Sequence, residues 1–134
     1  MPLLSRIAVR LALINLALGI TSGALILVQK GLGILPWTWA TLPAHVEWML
    51  VGWMTQFALG IAFWILPRLP GPAPRGNEVL VALALGLLNL GLGLILAAAF
   101  LPWPGSGGVG RLLEALGVLI FGWGVWPRIR ALHT

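Results

Sequence analysis

An all-α fold, an integral membrane four-helix bundle occupying residues 1–134 as one transmembrane domain, is what this sequence predicts, and three observations predict it. Of the 134 residues 60% are hydrophobic and only 8% are charged, and the mean hydropathy is +1.02. A chain of this size cannot hide that much apolar surface inside a globule, so lipid has to be part of its solvent. Second, apolar stretches of membrane-spanning character alternate with connections rich in proline, glycine and tryptophan. Third, the few basic residues are spread singly along those connections, as topology signals are.

The first helix is expected at about 7–29. Arg6 and Arg10 precede a run from Leu11 to Val28, treated as one apolar span and closed by Gln29 and Lys30. The run is longer than the apolar core of a secretory signal, so a retained signal-anchor is expected. Gly19 and Gly23 form a small-xxx-small pair that lets another helix approach closely. Gly31 to Pro43 carries no charge but holds Trp37 and Trp39, which fits a loop at the headgroup level, where indoles settle. The second helix is expected at about 44–66. Its segment from Val46 to Leu66 contains one formal charge, Glu47.

Pro67 to Asn77, PRLPGPAPRGN, can continue no helix. A third helix at about 78–101 is almost wholly Leu, Ala, Val and Gly, with Asn89 its interior polar residue and Gly86, Gly91 and Gly93 thinning it; it reads as a packing helix. An uncharged turn with Trp103 leads to a short fourth helix at about 111–126, expected to stop at Pro127. Arg6, Arg10, Arg68, Arg75, Arg128 and Arg130 fall on one side of this topology and only Lys30 and Arg111 on the other. Six against two places both termini in the cytoplasm by the positive-inside rule. His45 then sits near the outer leaflet and His133, a tail residue, on the far side. The two cannot grip one metal within a single protomer.

Several function classes drop out. The net charge of +5 is not clustered as a nucleic-acid patch requires. The absence of cysteine excludes disulfides, iron–sulfur clusters, covalently attached haem and thiolate metal sites. There is also no tyrosine, no deep carboxylate pair and no phosphate-cradling loop, which argues against hydrolytic or transfer chemistry. A coupled transporter usually needs an ionisable residue at mid-membrane depth, and none is read here, since Glu47 and Glu114 are both expected as solvated carboxylates near the outer face.

Helical steps from His45 bring Met49, Gly52, Gln56, Gly60 and Phe63 onto one face. That face combines an imidazole, a thioether, two glycines and an amide, whereas its neighbours are bulky or apolar. Gln56 at mid-membrane depth needs a partner in the protein or on a ligand. A flat macrocycle standing edge-on to the membrane needs a histidine nitrogen for its metal and small residues where its plane meets the backbone. A plainer reading is that His45 is a wettable helix start paired with Glu47 or Lys30.

His45, Gly60 fifteen residues on, and the closing Trp64-Ile65-Leu66-Pro67 resemble the second helix of subunit I in the haem-copper oxidase and nitric oxide reductase superfamily. The likeness covers about this helix only. It implies that His45 is an axial ligand to the iron of a low-spin haem b, in the inner membrane of a bacterium or archaeon. The family's other ligands come from later helices that this chain does not have, so oxygen or nitric oxide reduction by the family mechanism is not expected of it alone. The second ligand is then supplied by His45 of another copy in a homodimer, by a methionine such as Met54 of another chain, or not at all; the homodimer is preferred because symmetric pairing is the commonest route to a second identical ligand. Met49, Gly52, Gln56 and Trp48 are expected to line the haem, with Trp37, Trp39 and Trp103 walling it and Arg111 and Lys30 pairing its propionates. The functional expectation is a haem b-binding membrane protein for electron transfer or haem handling beside a respiratory oxidase or nitric oxide reductase. The alternative is a cofactor-free accessory or assembly subunit of a respiratory complex.

Overall fold

The computed structural model describes residues 1–101 and 103–131; His133 lies outside them. Among the described residues the chain is all-helical, and four helical stretches are long and apolar enough to cross a membrane. The first, α1 (Leu3–Leu32), extends past both of its expected ends. It stops at Gly33, whose φ of 69° reverses the chain while its N–H caps the carbonyl of Gln29. Leu35 N–H is then caught by the Gln29 side chain.

The expected loop Gly31 to Pro43 shrinks accordingly. Pro36 starts a 3₁₀ turn (Pro36–Thr41), where its fixed φ and missing donor cost nothing, and the second span runs on without a break. It comprises that turn, α2 (Leu42–Glu47), a π-helical stretch (Trp48–Thr55) and α3 (Gln56–Ile65). Leu66 is extended, as a residue before proline prefers. Asn77 opens α4 (Glu78–Ala98) by accepting the Leu80 N–H. This helix ends three residues before the expected 101. The last helix, α5 (Ser106–Arg130), is longer than expected at both ends and passes through Pro127. Proline removes one donor from the ladder, yet the final turn survives because Arg128 is bonded to the end of α3.

The helices form two antiparallel hairpins. α1 lies along the second span, with Gly23 at His45, Asn15 at Gly52 and Ala8 at Gly60. α4 lies along α5, with Gly91 at Gly110, Leu88 at Gly117 and Leu80 at Gly124. The second span joins them. Trp48 packs on Leu92 and Ile95 of α4 at one end, and Phe63 packs with Val81, Ala84, Phe121 and Val125 at the other. The buried stripe of α1 is Ser5, Ala8, Ala12, Asn15, Gly19, Ser22 and Ile26, alternating steps of three and four like a coiled-coil seam. Ala44, Trp48, Gly52, Gln56 and Gly60 recur instead every fourth residue. The wider π-helical winding accounts for that lengthened step.

Candidate functional site

His45 sits at the open end of the first hairpin, on α2. Its Nδ1 lies 2.8 Å from the carbonyl oxygen of Gly19 and 3.2 Å from Ser22 Oγ, whose own hydroxyl donates to the same carbonyl at 3.0 Å. A carbonyl can only accept, so the neutral ring carries its proton on Nδ1 and keeps the Nε2 lone pair. Nε2 has no hydrogen-bond partner among the described residues and is not sealed from the surface. Gly23 makes room for the ring: a Cβ there would fall 2.7 Å from His45 Cε1. Neither Glu47 nor Lys30 is its partner.

Met49, Gly52, Gln56 and Gly60 turn inward onto α1, whereas Phe63 packs against α4 and α5. A Cβ on Gly19 would collide with Met49 Sδ, one on Gly52 would lie 2.8 Å from Asn15, and one on Gly60 would lie 2.8 Å from Ala8 Cβ. Each glycine there receives a side chain of the other span. Gln56, wholly buried, donates to Ala8 O at 3.3 Å and accepts from Asn89 Nδ2 at 2.9 Å. Asn89 also donates to Leu85 O at 2.8 Å, and Asn15 Nδ2 reaches Asn89 Oδ1 at 3.3 Å and Gly52 O at 3.4 Å. Three amides from three spans thus satisfy one another between the helices, as buried polar groups must. The partner expected for Gln56 is supplied by protein.

This arrangement tests the fit of a porphyrin. His45 fits the part of an axial ligand: an imidazole whose Nδ1–H is anchored on a backbone carbonyl presents Nε2 in the orientation metal-ligating histidines use. Met49, Gly52 and Gln56 do not line a slot for the ring, because α1 fills that space. Trp48 is buried between the second span and α4, whereas Trp37, Trp39 and Trp103 are exposed. A groove bordered by Ser22, Trp37, Trp48 and Phe100 holds about 200 Å³, below the several hundred typical of a cofactor pocket. Among the described residues no three of His, Cys, Asp and Glu come together as a metal cage. The iron would meet one protein nitrogen per chain. Arg111, expected near propionates, donates instead from Nε to Glu47 Oε1 at 2.9 Å, tying α5 to α2.

Four residues escaped the sequence reading. Asn15 and Ser22 were absorbed into an apolar run, although an amide and a hydroxyl seven residues apart mark one helix face. Arg128, counted as a topology charge, is 1% exposed. Its guanidinium lies over the Phe63 ring at 5.1 Å and donates to the carbonyls of Phe63 and Pro67, each at 2.9 Å, and to that of Leu66. The fork caps the orphaned carbonyl end of α3. Glu114, expected in solvent, is 5% exposed between α4 and α5; it lies more than two turns inside α5, where the neighbouring helix covers it. No protein-family model, curated protein or solved structure matches the chain.

Proposed function

We propose that the chain is a multi-pass inner-membrane protein of a bacterium or archaeon that holds haem b through Nε2 of His45, and that it serves electron transfer or haem handling beside a respiratory oxidase or nitric oxide reductase. The observation that carries this reading is the state of His45: Nδ1 is committed to the Gly19 carbonyl while Nε2, the nitrogen that binds iron, has no partner among the described residues. Haem supplies one-electron redox chemistry when bound. The residues of this chain hold the ring: Gly23 admits the imidazole, and the Gly19 carbonyl and Ser22 fix its tautomer and its angle. Because α1 covers the positions below His45, His45 is the residue of this face that would hold a haem. A second ligand then comes from another copy of the chain, with both termini on the cytoplasmic side. Purified protein is expected to show a Soret band and a pyridine haemochrome of haem b, both lost in His45→Ala. Absence of both from preparations supplied with haem would end the reading.

A second reading, the cofactor-free accessory or assembly subunit of a respiratory complex, is favoured by a different observation. The amides and glycines of the His45 face are fully used within the fold. On this reading His45→Ala leaves colour unchanged and co-purification of partners intact.

A further inference from the structure

A carboxyl group stands between α4 and α5 of the second hairpin with no hydrogen-bond partner among the described residues. Glu114 lies eight residues into α5, about 12 Å along the axis from Ser106 at 1.5 Å per residue. Its Oε1 is sealed from the surface without a hydrogen-bond partner, and Oε2 makes no hydrogen bond among the described residues either. Gly91 of α4 is what admits the side chain: a Cβ there would fall 2.7 Å from Glu114 Cγ and 2.6 Å from the carbonyl oxygen of Gly110. The charged groups near it are Glu47 on α2 and Arg111 one turn earlier on α5; α4 carries only Glu78, at its far end. Arg111 is already taken, paired with Glu47 at 2.9 Å. An anion held in an apolar slot without donors is costly, whereas the neutral acid leaves only an ordinary polar group to accommodate. One turn before it on α5, Arg111 lines a cleft of about 200 Å³ together with Pro43, Ile95, Ala98, Gly107 and Gly108; Glu114 itself does not line that cleft.

We propose that Glu114 is a proton-binding site: a carboxylic acid kept neutral between α4 and α5 and exchanging its proton with the aqueous side through the cleft at Arg111. This is independent of the haem reading. An acid of this kind reacts with a lipid-soluble carbodiimide. Its proton passes to one carbodiimide nitrogen while its oxygen bonds the central carbon. The adduct then rearranges to an N-acylurea, so the whole reagent is added and nothing leaves.

The full chain in lipid nanodiscs, treated with dicyclohexylcarbodiimide at neutral pH and mapped by peptide mass, is expected to carry the adduct on Glu114 and not on Glu47 or Glu78. Labelling requires the acid form, so it is present at low pH and lost as pH rises. Infrared spectra are expected to show a protonated-carboxyl stretch at neutral pH that shifts on transfer to D₂O and vanishes in Glu114→Gln. The mapping needs no variant, so a Glu114→Gln chain that fails to fold leaves the proposal testable. Unlabelled Glu114, or the lack of a protonated-carboxyl stretch in the wild type, overturns it; a stretch unmoved by D₂O overturns the exchange path.

Discussion

The two hairpins solve the same problem with different chemistry. In lipid, apolar side chains gain little by leaving the solvent for a neighbouring helix, so association rests on close packing and hydrogen bonds. The α4/α5 hairpin relies on shape. Gly110, Gly117 and Gly124 recur every seventh residue and let the α5 backbone touch α4, where a Cβ on Gly117 would lie 2.9 Å from the Ala84 carbonyl. The hairpin of α1 and the second span uses small residues too, but adds the Asn15 and Gln56 amides, both bonded to Asn89 of α4, and the His45 contact with Gly19. Shape specifies how near two helices come; a directional amide also specifies at what register, and Asn89 extends that register to α4. Among the described residues, Glu114, against Gly91, is the buried polar side chain of the shape-packed pair that has no hydrogen bond.

The largest effect is expected where the two pairs are locked together. Arg128→Met strips three carbonyls of their donor and is expected to cost on the order of 3 kcal/mol or more, read by reversible unfolding in bicelles. Arg128→Lys should recover only part, since a point charge cannot reach three acceptors. Next comes the shape-packed pair: Gly117→Ala and Gly91→Ala each force a methyl against backbone oxygen and are expected to lose about 1–3 kcal/mol. If either is neutral, close approach is not what holds α4 to α5. In the amide-bonded pair, Gln56→Leu is expected to cost about 1 kcal/mol, the scale of single interhelical hydrogen bonds in membranes. A double cycle of Gln56 and Asn89 should show non-additivity, which sharpens the claim that the amides act as one unit. Smallest is Gly86→Ala. No atom lies within 4 Å of the added methyl, so it should be neutral or stabilise by at most about 1 kcal/mol through helix propensity.

The four spans were legible because hydropathy over about 20 residues is a local property; the face counted in α-helical steps from His45 was legible only in part, because the π-helical winding moves the buried stripe onto Ala44 and Trp48 before it rejoins Gly52, Gln56 and Gly60. Boundaries were less so. Gly33 and Pro36 act together to shorten a connection that composition alone draws as a long loop, and Pro127 is carried inside a helix by a bond from its neighbour Arg128 to a distant element. The partner of the His45 face was not legible at all: a pattern of imidazole, thioether, amide and glycine suits a flat ligand and a small-residue helix equally well.

By itself the sequence determined that the chain is helical, that four stretches of it are apolar enough to cross a membrane, and that one stripe of the second span differs from the rest. The tertiary structure decided what covers that stripe, that Arg128 caps a helix, and that Glu114 is enclosed. The physical reason is that a side chain's periodicity names the face it stands on, whereas its neighbour, its hydrogen-bond donor and its access to water are set by helices remote in the chain.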